Sequence, residues 1–435
     1  ATRATVPGAD VKSILLPINQ VSARFTLTDS ITLLGQYVFE FKPFEVNPVG
    51  DFYSPSDLVG PGAEMAYGFL NPLAPDNLAV FDLTDINDIA DIVQTIDSVF
   101  DGQLPTDALE AALRTLPLEA LPSLFFPQLG VNPLNSPYGV NPTYAGERRP
   151  DDKDKQYSLG VVYALDDVTE LGAYYLRYHQ KTPTVELTFG SLDLIPAQTL
   201  PGGIVVPAIT TATLGLNVPE VFRIAYFDNV DLYALSFSTL LFGVNVGGEV
   251  IRREGIDTLL DVDEGVNGII PEPTRASSTQ VLINAISVFR PLVYFDSVAL
   301  VGEVGWVRVD DIEPLVSHEG ANEGQPTDKL SFDREAWALA TLMILDRGNV
   351  FQGWDLRIPI SYQHALKGRS ALNGAFGSLF DRDDIRVGVG VEMTWLQKLT
   401  IGVNYSGFMG GKPHFNDRPL ADRDTLGFNL KYRFF

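Results

Sequence analysis

The chain has no cysteine, which excludes a disulfide framework and a thiolate metal site and is compatible with an oxidising periplasmic route. It also lacks any stretch approaching the ~20 apolar residues that a membrane-spanning helix requires. Basic residues are scarce: 31 Lys and Arg stand against 55 Asp and Glu, a formal net charge of -24. That balance opposes nucleic-acid binding, because phosphates demand a basic surface. The four histidines, His179, His318, His364 and His414, are scattered, and no Gly-x-Ser-x-Gly, His-Glu-x-x-His or phosphate loop occurs. The sequence therefore supplies no catalytic set, no cofactor and no metal ligand set. It reads as non-enzymatic, with His179 and Ser406 the residues on which a barrel-borne hydrolase would have to be built. No signal peptide precedes Ala1, so the chain reads as mature or as a fragment.

What the chain has in abundance is period-two alternation. Thr425 to Phe435 place Leu426, Phe428, Leu430, Tyr432 and Phe434 on one face and Thr425, Asn429, Lys431 and Arg433 on the other, so one face suits hydrocarbon and the other water. A terminal strand of this type with a final Phe resembles the signal read by the barrel-assembly machinery in outer-membrane proteins, with Phe435 one residue out of phase with Tyr432 and Phe434. The same reading along the chain gives about thirteen strands, near 20–29, 31–42, 156–165, 169–180, 222–239, 243–253, 278–289, 297–309, 332–345, 354–365, 385–396, 398–408 and at the carboxyl end. Outward phases include Val21, Phe25, Leu33, Leu159, Val161, Tyr174, Leu176, Tyr178, Val304, Trp306, Trp354, Ile358, Tyr362, Val389, Trp395, Ile401 and Tyr405. Short turns alternate with long connections near 43–155, 181–220, 254–277, 310–331, 366–384 and 409–424. The expected fold is all-β: one transmembrane antiparallel outer-membrane β-barrel over residues 1–435, with helix-containing extracellular loops. Strand parity implies 14 or more strands in the complete protein, since single-chain bacterial barrels have even strand numbers.

The 43–155 connection exceeds an ordinary loop. It predicts a helix over 84–100, with Ile86, Ile89, Val93, Ile96 and Phe100 on one face, and a second from Thr106 to a stop at Pro117. Phe125 and Phe126 follow as candidate lining of a lid or plug, and Leu200 stands for the equally apolar 181–220 connection. The alternative is that these segments pack only on each other and the rim. Lumen-phase charges are Arg24, Glu40, Lys42, Arg177, Glu249, Glu303, Arg357, Arg386, Glu392, Lys431 and Arg433. They read as paired wall residues, or, for Arg357, Arg386, Lys431 and Arg433, as a basic stripe guiding a carboxylate headgroup. The acidic runs Asp257, Asp261, Asp263, Glu264 and Asp310, Asp311, Glu313 read better as solvated loop charge than as calcium or lipopolysaccharide-bridging sites, since neither has EF-hand spacing.

Pro7-Gly8-Ala9-Asp10-Val11-Lys12-Ser13-Ile14-Leu15-Leu16-Pro17, followed by a strand, Leu27-Thr28-Asp29-Ser30 and an aromatic-rich strand, resembles an uncharacterised family of proteobacterial outer-membrane proteins known by a domain-of-unknown-function label. The resemblance implies a barrel, with longer members carrying further strands before this segment. It also implies a periplasmic lipid-binding-like carrier and resistance-nodulation-type exporters as partners, and transport of hydrophobic molecules. It brings no catalytic residues. The combined expectation is a passive outer-membrane channel for hydrophobic or amphipathic small molecules, with outer-membrane lipid and lipopolysaccharide around it. A general porin and a surface enzyme or adhesin are the alternatives.

Overall fold

The computed structural model describes residues 16–54, 59–63, 69–70, 94, 97, 106–114, 138–140, 142–151, 155–191, 193–195, 197–200, 204–206, 209–210, 217–290, 294–318, 323–372, 374–376, 382–410 and 420–434. Thirteen strands form a single sheet: Gln20–Thr26, Ile31–Val38, Gln156–Ala164, Glu170–Tyr178, Val230–Leu241, Val244–Asp263, Ile269–Phe289, Ser297–Ile312, Glu335–Phe351, Trp354–Lys367, Ile385–Trp395, Leu399–Met409 and Thr425–Tyr432. Each pairs antiparallel with the next in that order. The first and last strands are the two ends of this order, and no pairing joins them among the described residues.

Tight turns hold successive strands in register. Phe242 and Gly243 have φ of 52° and 82°, and Leu396 and Gln397 have 44° and 58°. Positive φ at both central residues twists the two-residue Phe242-Gly243 hairpin in the sense of its strands, and the three-residue connection 396–398 uses the same conformation at its first two residues.

The register separates two faces. Leu33, Val161, Ala173, Leu235 and Val250 lie along one row of directly paired residues. Together with Leu159, Phe237, Ile283, Leu300, Val304, Val389, Val391, Val403, Tyr405 and Phe428 they form an apolar exposed face. The opposite face carries Gln36, Ser158, Gly172, Ser236, Asn245, Gly388, Asn404 and Asn429, and at its upper end the main buried cluster of Val230, Ile256, Ala276, Val307, Val309 and Ala336. An antiparallel meander with a hydrocarbon-compatible exterior and a polar, partly filled interior is the wall of an outer-membrane β-barrel. On the outer face above the apolar band, Arg177 pairs with Asp231, Arg252 with Asp310 and Arg308 with Glu335.

Four sequence expectations need correction. The strand expected over 222–239 is two: Val218–Ala225 and Val230–Leu241 are separated at Asn229, whose φ is 52°. The first joins Thr143–Arg148 and Thr184–Gly190 in a separate three-stranded sheet. The connection expected over 254–277 is strand, because Val244–Asp263 and Ile269–Phe289 run on as a tall hairpin of 20 and 21 residues. Its prolines concealed it. Pro271 and Pro273 lie beyond Ala276, where pairing with the following wall strand ends, so that edge tolerates a missing N–H. The turn expected at 346–349 is strand as well, and the chain reverses after Phe351.

The phase of Glu170–Tyr178 is inverted. Tyr157 pairs with Arg177 and Gly160 with Tyr174, so Tyr174, Leu176 and Tyr178 point inward and Arg177 outward. Aromatics on both faces gave alternation no means of choosing. Glycines make the inward position workable: a Cβ on Gly160 would lie 2.8 Å from the Tyr174 ring, and one on Gly172 would lie 2.5 Å from its hydroxyl.

Thr106–Leu113 is helical as expected. Most of the 84–100 helix lies outside the described residues, with only Gln94 and Asp97 described there, both helical. Arg placed at outward, mid-depth Ile358 or Val389 is expected to cost about 2–4 kcal/mol, whereas Arg at inward Ser361 or Thr400 is mild. Urea unfolding of the refolded protein followed by heat-modified gel mobility checks this, and equal costs on both faces would contradict the wall assignment.

Candidate functional site

The interior changes character along its height. Polar side chains bond to each other across strands, near the lower turns at Ser238–Asn245 and Thr394–Thr400 and higher up at Gln36–Gln20. Gln36 donates to Gln20 at 2.5 Å, Ser238 and Asn245 lie 3.2 Å apart, and Thr394 and Thr400 lie 3.1 Å apart. At the upper end the wall turns apolar and receives a loop. Ala371 and Leu372 pack on Val230, Ile256, Ala276, Val307, Val309 and Ala336, with Leu330, Phe332, Ala375 and Phe376 around them.

The loop is tied down by its backbone. Thr258 donates its hydroxyl proton to the Ala371 carbonyl at 2.9 Å, and Arg369 N donates to the Asp333 carboxylate at 2.9 Å. A side chain on Gly305 would meet Phe376 and Leu282, each at 3.1 Å, so this wall glycine makes room for the inserted ring.

Next to the insert lies a cavity of about 600 Å³. One side is Phe44, Thr182, Pro183, Thr184 and Val185, and the other is Leu259, Pro271, Phe332, Leu372, Ala375 and Phe376. Arg369 also lines it, with its guanidinium 3.7 Å from the centre of the Phe332 ring. A mostly apolar cavity with one guanidinium at its edge suits a molecule with a hydrocarbon body and an anionic or polar end.

The residues singled out from sequence are distributed differently. Phe125 and Phe126 lie outside the described residues. Leu200 sits in the small hairpin of Gln198–Leu200 with Ile204–Val206. Arg177 bonds Asp231 at 2.8 and 2.6 Å on the outer face, where the Tyr175 hydroxyl also donates to Asp231.

Arg357 and Arg386 face inward but do not form one stripe. Arg357 bonds Asp346 at 2.8 Å near the lower turn, opposite Glu392. Arg386 is buried near the upper end, bonded to Asp384 at 2.7 Å and lying over the Phe408 ring at 4.2 Å. Lys431 and Arg433 belong with the lower group, Lys431 in register with Thr400 and Arg433 N donating to the Lys398 carbonyl. His179 is buried, and its Nδ1 accepts from Asn229 N at 3.2 Å. Sequence reasoning missed Phe332, Arg369, Leu372 and Phe376. The short run Ala371-Leu372 before Gly374-Ala375-Phe376 was their only trace.

The acidic run at 257–264 is only partly solvated. Asp257 is 2% exposed and Glu264 is fully buried, a correction that follows from the tall hairpin. One Asp257 carboxylate oxygen has no hydrogen-bond partner. Its register neighbour Arg275 is instead turned to Asp228. Burial pushes the Asp257 carboxyl up to about 7. Glu272 is likewise pushed up to about 7, by burial first and then by nearby Glu264. Glu264, Glu272 and His318 bring their donor atoms within 4.8 Å of one another. Both carboxyls stand on the hairpin extension, above the membrane-crossing part of the strands.

Residues 1–434 match a family described as a protein of unknown function, DUF1302, and the chain belongs to that family. Among solved structures it is similar to the outer membrane channel DcaP of Acinetobacter baumannii, at 8% identity and a TM-score of 0.31, over 65% of this chain and 63% of that one. It is also similar to in-vitro folded OmpT, an outer membrane protein of Vibrio cholerae, at 11% identity and a TM-score of 0.27, over 65% and 92%. The chain thus spans less than two thirds of the length of the first of these. No curated protein matches it.

The raised Asp257 carboxyl gives a pH prediction. A folded-state value of about 7 against ~3.9 unfolded means that the folded form holds the proton more tightly. Stability from this group is then greatest below the unfolded value and falls as pH rises towards 7. Asp257→Asn should raise the unfolding temperature more at pH 8 than at pH 4. An equal gain at both would show that the carboxyl does not titrate as described.

Proposed function

We propose that the protein is a passive outer-membrane channel for hydrophobic or amphipathic small molecules, which enter through the apolar cavity at its upper end. The carrying observation is that cavity of about 600 Å³, formed where residues 368–372 and 374–376 lie against the inward face of the wall. Open aqueous diffusion has no use for Leu372, Phe376 and Phe332 at the mouth, and buried apolar lining favours a greasy solute over a sugar or ion. Arg369 at the margin suits a carboxylate end, so a long-chain fatty acid is a fitting probe. The apolar outer face is the reason for placing the chain in the outer membrane, with lipid against the wall. Lipopolysaccharide headgroups would meet the charged pairs of the upper outer face. A periplasmic carrier or exporter would then receive or supply the solute from below. A general porin is the second reading, favoured by the polar lower interior around Ser238, Asn245, Thr394 and Thr400.

Leu372→Asp and Phe376→Asp, each placing an unpaired charge in the cavity, are expected to abolish saturable uptake of a fluorescent long-chain fatty acid into proteoliposomes. Heat-modified gel mobility should stay as in the parent protein. Replacing 369–376 with a Gly-Ser linker is expected to raise conductance in planar bilayers. If the intact protein conducts ions freely, passes small sugars and is indifferent to hydrophobic competitors, the porin reading replaces this one.

A further inference from the structure

We infer that Glu264, Glu272 and His318 form a binding site for a divalent transition-metal ion that clamps two extracellular connections together. Glu264 follows the strand Val244–Asp263, Glu272 lies on Ile269–Phe289, and His318 comes from the connection after Ser297–Ile312. His318, 46 positions from Glu272 and 54 from Glu264, thus meets the two glutamates at the tip of the tall hairpin.

Glu264 is 0% exposed, and its carboxylate accepts from the His318 backbone N–H at 2.9 and 3.1 Å. His318 Nδ1 lies 3.0 Å from Glu264 Oε1. Glu272 is only 7% exposed, its Oε1 has no hydrogen-bond partner, and one of its carboxylate oxygens is among the donor atoms gathered within 4.8 Å. Two buried carboxylates side by side are costly unless a positive charge lies between them. A buried carboxylate with one oxygen unpaired, beside a second carboxylate and an imidazole, lacks what a cation would supply.

The donor set selects the ion. Two oxygens and one imidazole nitrogen suit Zn²⁺, Mn²⁺, Co²⁺ or Cu²⁺, whereas Ca²⁺ takes oxygen ligands almost exclusively. Bonds of about 2.1 Å at tetrahedral angles set donor atoms about 3.4 Å apart, so a small rotation of the Glu272 carboxylate closes the set. The His318 side chain is 46% exposed and stacks on Phe189 at 4.9 Å, leaving one side open to water and to an entering ion. Ser317, next to the histidine, already donates its hydroxyl proton to the Asp263 carbonyl at 2.6 Å. The clamp therefore reinforces a contact that the Ser317 side chain already makes with the hairpin tip.

The test uses the full chain without a histidine tag, refolded in detergent and stripped with chelator. Equilibrium dialysis with elemental analysis should find one Zn²⁺ retained per chain at micromolar free metal, and no Ca²⁺ at the same concentration. Cu²⁺ loaded at one equivalent should show nitrogen hyperfine coupling in its electron paramagnetic resonance spectrum. His318→Ala should remove that coupling, and Glu272→Gln should weaken Zn²⁺ binding by about tenfold or more, with both variants retaining heat-modified gel mobility. The inference is overturned if the parent protein retains no equimolar Zn²⁺ or shows no nitrogen coupling. Equal retention of Ca²⁺, or undiminished binding in both variants, also overturns it.

Discussion

Hydrocarbon offers no hydrogen bonds, so every backbone N–H and C=O that crosses it must find a partner within the protein. The twelve antiparallel pairings of the thirteen-stranded sheet meet that demand for all strands between the first and the last. Once the ladder is fixed, side-chain direction is fixed with it, because successive residues must alternate faces. Leu235 and Phe237 go to lipid and Ser236 goes inside because the register of Val230–Leu241 with both neighbours leaves no other arrangement. A slip of one residue would exchange the two sets.

The same ladder, prolonged beyond the membrane, builds the outer mouth. Val244–Asp263 and Ile269–Phe289 are about twice the ~10 residues needed to cross. A bulge at Gly255, where φ is 78° and the register shifts, re-aims the upper half so that Ile256 faces the insert. This extension supplies Thr258 to hold the Ala371 carbonyl and Leu259 and Pro271 to line the cavity. It also carries the buried acids Asp257, Glu264 and Glu272. Polar residues are tolerated low in the interior because they pair across strands, and apolar ones high up because a loop covers them.

The wall was legible in the sequence because alternation is a local property. Trp354-Asp355-Leu356-Arg357-Ile358 announces its faces without any partner, and the structure places it so. Legibility failed where both phases were plausible. Tyr174 and Tyr175 are equally aromatic, and only pairing with Gly160 and Leu159 decides which of them points inward. It failed again where strands leave the membrane, since Pro271 and Pro273 look like loop while serving as an edge. The cavity was not legible at all. Phe44, Phe332 and Phe376 are far apart in sequence and meet through long-range packing that no period records. The Arg357 and Arg386 pair shows the converse error, because shared phase put them on one face but said nothing of their different heights.

The division of the wall into a lipid face and an inner face is tested most directly by fluorescence quenching with brominated lipid, scanned residue by residue along Ile385–Trp395 in liposomes. Labels at 387, 389, 391 and 393 should be quenched strongly, while those at 386, 388, 390 and 392 should be quenched weakly and respond to aqueous iodide. Uniform quenching along the strand, or the opposite alternation, would contradict the account.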